Sequence, residues 1–406
     1  MTATTPPTEP VEDWTTDYDI FDADYVTDPT PIWKDLRSGC PMARTDRRGI
    51  RSWLPTKYDD VQALAKIVPE LSSKDPLVVT LPTDMGIDNS SGLSAPPISA
   101  DPPEQVWTRR MILPAFAPRA VESHRQFTQD LCNRLIDGFI DSGECDGAVD
   151  YAQQIPPRVI AHMLGFDPEK ADDFTTWVRG ALELGLFDPV IRVKYRDIIQ
   201  TFLIDEVRSR WENPRDDYLS ELLALDVPEM KGREVQVVVG IANLLLIAGI
   251  DTTWSSIGSA LFHMGTHPED RRRLAADDTL FPTALEEMLR FYSPVTMARM
   301  AQEDVPFGDI VIKSGEKVLM NFPGANHDED AFEDADKVLI DRTRNRHIAF
   351  GSGIHRCAGS NLARLEMDVA LRTWFARIPE FEVSDPGGVT WAGGQVRGPR
   401  RLPVSF

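Results

Sequence analysis

Residues 350–359 read FGSGIHRCAG. Three glycines in ten residues leave the backbone free to lie close against something flat or bulky. A helical pattern resumes over 361–377, which places Cys357 just ahead of a helix N-terminus and beside Arg356. Both the helix dipole and the neighbouring charge favour a thiolate there. No second Cys or His stands at metal-ligand spacing, so the residues point either to a nucleophile or to a single axial ligand for a cofactor iron. A nucleophile needs a base, and no His/Asn set elsewhere is marked out. An axial thiolate needs only a glycine-rich loop that can lie along a macrocycle. The plain structural alternative is a core cysteine within a glycine turn.

A second stretch constrains the interior. Residues 235–263 can form one long helix whose first half is apolar nearly all round, with Asn243 the interruption, so it should cross the middle of the protein. Its apolar run over 237–250 is shorter than the roughly 18 residues that argue for a membrane span. It is followed by Ala248-Gly249-Ile250-Asp251-Thr252-Thr253. Gly costs about 1 kcal/mol relative to Ala in a helix, and a Thr hydroxyl can bond back to the carbonyl four residues earlier and loosen the turn. A helix end with capping Asp and Thr would read the same way locally. The pattern continues at helical spacing from Trp254, which favours a loosened mid-helix turn that makes room for a small molecule.

The spacing predicts further helices over 59–67, 105–115, 120–140, 190–211 and 282–292, with short strands at 309–312, 318–321 and 53–54 and a hairpin turn at 313–316. Glu287 and Arg290 share one face of the 282–292 helix among apolar neighbours, so a buried pair with a third polar partner is expected. Residues 78–100 carry Pro, Gly, Ser and Asn without period and read as a long functional loop. Residues 1–18 are expected to be a disordered lead-in, and 19–406 a single domain. Lys plus Arg number 43 against 64 Asp plus Glu, a net charge of −21. Such a surface disfavours nucleic acid and anionic membranes. Cys40, Cys132, Cys145 and Cys357 form no CxxC, and the N-terminus has no apolar signal core, so a cytoplasmic setting is expected.

In order along the chain, DPPE (101–104) with Arg109 and Arg110, AGIDTT (248–253), EMLR (287–290), Arg299, Arg342 and FGSGIHRCAG resemble the cytochrome P-450 superfamily in its soluble bacterial class. The likeness runs from about Asp19 to Phe406. It implies a fold that is mainly α with a small β region, enclosing haem b (iron protoporphyrin IX) between the long central helix and the cysteine loop. It implies Cys357 as the metal ligand, and Phe350, Gly351, Ala248 and Gly249 against the haem. Arg109, Arg299 and His355 would hold the propionates, with Gln105 where many relatives have His. Glu287, Arg290 and Arg342 would form a structural ion cluster.

The resemblance also implies the chemistry. Thr252 would hydrogen-bond bound dioxygen and Asp251 would relay protons, so that one oxygen atom enters a C–H bond and the other leaves as water. Two electrons would come from ferredoxin and ferredoxin reductase, docked on a positive patch of Arg109, Arg110, Arg342, Arg344, Arg346, Arg356 and Arg364. Leu244, Ile247, Ala248, Val295, Met297 and Val396 would line a pocket bounded by segments 78–100 and 178–190, suited to a small hydrophobic substrate. A peroxide-using peroxygenase would lack the acid–alcohol pair. A non-catalytic haem sensor would need no proton relay.

Overall fold

The computed structural model describes residues 9–47, 49–79 and 94–406. The apolar run becomes the first half of a central helix, Glu234–Gly249, and the chain continues as Asp251–Thr266. The two halves meet at a single residue, Ile250 (φ −86°, ψ −67°). Thr252 Oγ1 donates to the Ala248 carbonyl at 2.8 Å, the back-bond expected of a hydroxyl that loosens a turn. By length and composition the 33 residues from Glu234 to Thr266 could cross a membrane, but 61% of the apolar window is buried inside the protein. Helices Ile155–Leu164, Ala171–Leu182 and Pro189–Glu212 pack on this axis, with Ser360–Arg377 against its second half.

The interruption at Asn243 has a use. Its Nδ2 donates to the Ser94 carbonyl at 3.1 Å, and Gly240 leaves room for Pro96, so the segment re-entering at Ser94 is fastened to the central helix. Residues 80–93, the middle of the expected loop 78–100, lie outside the described residues. Val78, Val79 and Ala95 at its two ends are buried.

A five-stranded sheet flanks the helices in the order Met42–Thr45, Ser52–Pro55, Lys317–Met320, Met297–Ala301, Leu71–Ser72. Arg299 stands opposite Val318, and Met297 opposite Met320, so Arg299 and Met297 share one face by strand alternation. The turn over residues 313–316 exists, with Glu316 N–H bonded to Lys313 O at 2.9 Å, but it does not close a hairpin. Ile310–Ile312 pairs with Val305–Phe307, while Lys317–Met320 pairs with strands from elsewhere in the chain. Alternation identified the strands but carried no information about their partners.

The lead-in is also shorter than expected. Residues 1–8 lie outside the described residues, but Trp14 stacks on Tyr25 at 6.1 Å, Arg47 binds Asp17, and the buried Tyr18 hydroxyl meets Ser52 Oγ at 2.8 Å. The helix predicted over 120–140 is two, Pro118–Glu122 and Arg125–Asp137.

Glu287 and Arg290, both fully buried, form a bidentate pair at 2.8 and 2.9 Å. Glu287 also accepts from Arg342 at 3.0 Å, Asn345 at 3.0 Å and the Leu339 N–H at 2.9 Å. Arg290 also donates to the carbonyls of Asn326, Ala335 and Lys337. Every lone pair and N–H thus has a partner, the condition under which a buried pair is tolerated. Glu287→Ala leaves a buried guanidinium uncompensated. Urea unfolding should show a loss of about 3–5 kcal/mol, and a loss under about 1 kcal/mol would contradict this account.

Candidate functional site

The loop over residues 350–359 is held by few bonds. The Gly351 N–H donates to Ile348 O at 2.9 Å, Arg356 N–H to Gly353 O at 3.1 Å, and Cys357 N–H to Phe350 O at 2.8 Å. Gly351 and Gly353 both have positive φ, +75° and +71°. At Gly353 a Cβ would also lie 2.6 Å from the Ala65 carbonyl oxygen, so the position is closed to any other residue on two counts. The helix Ser360–Arg377 follows at once.

Cys357 combines two properties that seldom coincide. Its surface is solvent-accessible, yet burial is the largest influence on its thiol and pushes the pKa up. The Gly359 N–H and the charges of Arg109, Arg356 and Arg364 oppose this without reversing it. The sulfur is thus accessible yet closely surrounded by protein atoms. In the protein alone, desolvation outweighs the dipole and the nearby charges that favour a thiolate. Across the fold, Ile247, Ala248, Gly249 and Thr252 are likewise only partly covered, while Leu244, Leu246, Ile250 and Asp251 beside them are buried. Gly249 has a packing role as well, since a Cβ there would lie 2.8 Å from Ile160 Cδ1.

Three donors converge near the loop. Arg299 is buried, and its one hydrogen bond among the described residues goes to the adjacent Ala298 carbonyl at 2.8 Å. Burial lowers its pKa to about 10, with Asp101 pulling the other way. His355 Nε2 is buried without a partner. Burial first, then the charges of Arg299 and Arg109, press its pKa down to about 3. Arg109, half-buried, feels both Cys357 and Arg356. Gln105 is buried, but its amide donates to the Ile354 carbonyl at 2.7 Å. It braces the cysteine loop against helix Glu104–Ile112, a duty that its place in the sequence did not reveal.

Val295 bridges to Val396, and the Gln395 amide lies 3.5 Å from Met297 Sδ, so these pocket candidates from distant segments come together. Asp251 does not turn toward Thr252. Its carboxylate is bonded to Arg400 at 2.7 Å, with Ser255 Oγ at 3.4 Å. Arg400 had no local signal, because the tertiary fold alone brings strand Gly398–Arg401 across the helix.

A cluster behind Phe350 also went unread. Glu286 receives both arms of Arg364, at 2.6 and 2.8 Å, and His347 Nε2 at 2.9 Å. His347 Nδ1 accepts the Ala349 N–H, so Nε2 carries the hydrogen. Arg364 lies 4.4 Å above the Phe350 ring. Arg364 and Arg342, both counted toward the positive patch, are thus committed to Glu286 and Glu287. Arg110, Arg344, Arg346 and Arg356 are exposed.

The protein-family model described as cytochrome P450 matches residues 186–389. The vitamin D(3) 25-hydroxylase of Pseudonocardia autotrophica is 33% identical over 97% of this chain and 97% of its own length. The 6-deoxyerythronolide B hydroxylase of Saccharopolyspora erythraea is 30% identical over 96% of this chain and 99% of its own. Among solved structures, the bacillaene polyketide synthase cytochrome P450 PksS of Bacillus subtilis superposes with a TM-score of 0.86 at 26% identity, over 96% of this chain and 99% of that one. Fold and relatives together define a bacterial haem monooxygenase, an oxidoreductase. The chain belongs to the cytochrome P450 family.

The residues present suit a haem. The sulfur of Cys357 is accessible yet surrounded by protein, and two arginines stand near a buried neutral histidine whose Nε2 has no partner among the described residues, a set of donors that suits carboxylates.

Two substitutions should separate backbone need from bulk. Gly353→Ala should lower stability by about 1–3 kcal/mol and Gly359→Ala by far less, since a Cβ at Gly359 meets only ordinary contacts from 3.7 Å outward. Equal thermal shifts would refute the steric argument. Glu286 tests the charge side. Burial raises its pKa, but Arg364 and His347 outweigh this and bring it from the usual 4.5 to about 2. Its ionised form therefore stabilises the fold above pH 4.5, and that contribution is lost as the pH falls toward 2. Arg364→Gln should cost about 1–2 kcal/mol at neutral pH. The gap to wild type should narrow below pH 4.5, and a gap independent of pH would contradict it.

Proposed function

We propose that Cys357 would ligate the iron of a bound haem b and that this P450 hydroxylates or epoxidises a hydrophobic substrate. The observation that carries this is the accessible sulfur, set near Arg109, the buried Arg299 and His355, whose buried Nε2 has no partner among the described residues. Arg109, Arg299 and His355 hold the propionates, while Gln105 acts by bracing the loop at Ile354. When bound, the haem supplies the means to activate dioxygen with two electrons, so that one oxygen atom enters the substrate and the other leaves as water.

The chain's residues handle protons and access. The Thr252 hydroxyl, now donating to Ala248 O, is the group nearest the loosened turn that can turn to donate to a bound molecule. Asp251, held by Arg400, passes protons toward it. Gly359 N–H and the charges of Arg109, Arg356 and Arg364 would lower the cost of negative charge on Cys357. The aliphatic surfaces of Ile247, Val295, Met297 and Val396 orient an apolar compound and exclude water. Relatives named for vitamin D(3) and for 6-deoxyerythronolide B support a bulky apolar substrate. Residues 19–406 act as one unit, in the cytoplasm.

Electrons reach the haem from ferredoxin and ferredoxin reductase. Support comes from the surface over the cysteine loop, where Val106 and Ile354 are exposed beside the Gln105–Ile354 bond. The exposed Arg110, Arg344, Arg346 and Arg356 lie close to this loop in the sequence, against an overall charge of −21.

The decisive test is the carbon-monoxide spectrum of the reduced protein. Wild type should show the red-shifted Soret band of thiolate ligation and Cys357→Ser should lose it; retention would sink the proposal. Arg344→Glu with Arg346→Glu should slow reduction by an acidic ferredoxin about tenfold at low salt, with the difference fading as salt rises. An unchanged rate would remove the docking surface.

A further inference from the structure

The acid assigned to proton transfer is held in a closed set of charges. Arg400 meets Asp251 at 2.7 Å through one nitrogen, Ser255 Oγ at 3.1 Å through another and Glu183 at 3.0 Å through Nε. Arg179 closes on Glu183 at 3.0 Å. The Trp254 ring lies 4.2 Å from the Arg400 guanidinium and 5.8 Å from that of Arg179. Side-chain exposures of Asp251, Arg400 and Glu183 are 5%, 9% and 15%. Two cations and two anions balance, and they come from three separate parts of the chain. Asp251 sits on the central helix, Arg179 and Glu183 at the end of helix Ala171–Leu182, and Arg400 on the strand Gly398–Arg401. Gly398 lets that strand cross closely, since a Cβ would lie 2.3 Å from Ser255 Cβ.

In so dry a place, charge is set by the nearest partners more than by solvent. Burial raises the Asp251 pKa, Arg400 opposes this, Glu183 adds to it, and Arg179 and Ser255 oppose it more weakly. Glu183 is itself raised by burial but brought below its usual value by Arg400 and Arg179.

We infer that Arg400 is a positioning residue for proton delivery: it fixes the direction of the Asp251 carboxylate and, with Glu183 working against it, sets the pH range over which Asp251 can take up and pass on a proton. This rests on the assignment of Asp251 to the relay. The step moves protons only. One from water bonds to a carboxylate oxygen of Asp251 and leaves toward the Thr252 side, restoring the anion, and no electrons change hands.

Because the two neighbours have opposite charge, their removal should move the pH profile in opposite directions. Arg400→Gln removes the cation that keeps Asp251 ionised. The pH below which product formed per NADH falls, and peroxide release rises, should move up by about one unit. Glu183→Gln removes the opposing anion and should move that limit down. Arg400→Lys keeps the charge and should restore most of the wild-type profile. Turnover would be measured with a ferredoxin system and an apolar compound that shifts the haem spin state. Folding would be checked by the carbon-monoxide spectrum. Asp251→Asn separates the two claims. If it leaves coupling intact, the relay assignment itself fails. If it uncouples while Arg400→Gln and Glu183→Gln keep the wild-type profile, or move it in the same direction, the inference is overturned. Should Arg400→Gln not fold, an unmoved profile in Glu183→Gln overturns it equally.

Discussion

The buried Glu287–Arg290 pair organises one side of this protein. Arg290 gathers the carbonyls of Asn326, Ala335 and Lys337, and Glu287 gathers the Leu339 N–H, Arg342 and Asn345. The chain between residues 326 and 345 has almost no regular structure, so these bonds replace a helix or sheet ladder. Immediately afterwards His347 and Arg364 fasten to Glu286, one residue earlier on the same helix. The cysteine loop thus leaves one ion cluster and enters another within a few residues.

The cysteine loop and the central helix treat charge differently. On the cysteine side, burial and the charges of Arg299 and Arg109 hold His355 neutral, and burial also lowers the pKa of both arginines, an arrangement that an anionic group among them would stabilise. On the helix side the charges of Asp251, Arg400, Glu183 and Arg179 already cancel, so a small change in one neighbour is felt directly at the carboxylate. A face that is to hold carboxylates needs a fixed deficit of negative charge. Moving protons needs a balance that can be tipped.

Much of the site was legible from local pattern. The FGSGIHRCAG loop, the AGIDTT interruption and the i,i+3 pair are features whose chemistry depends on neighbours in sequence, and each is found where its spacing places it. Long helices were legible for the same reason. Partners across the chain were not. The strand at 310–312 carries the same alternation whichever strand it pairs with, and the amide of Gln105 looks alike whether it meets a cofactor or the Ile354 carbonyl. The commitment of Arg364 to Glu286, 78 residues away, is invisible in a list of basic residues.

The sequence by itself determined the local conformations of two stretches: a lone cysteine among glycines before a helix, and a Gly-Ile-Asp-Thr-Thr turn inside an apolar one. Short-range sterics and hydrogen bonding specify those conformations within a few residues. Only the tertiary structure decided their charge states and directions. The thiol of Cys357 is shaped by burial and by Arg109 from a distant helix, and the carboxylate of Asp251 by an arginine 149 residues further on. Desolvation and Coulomb energy depend on what surrounds a group in space, and chain order does not encode that surrounding locally.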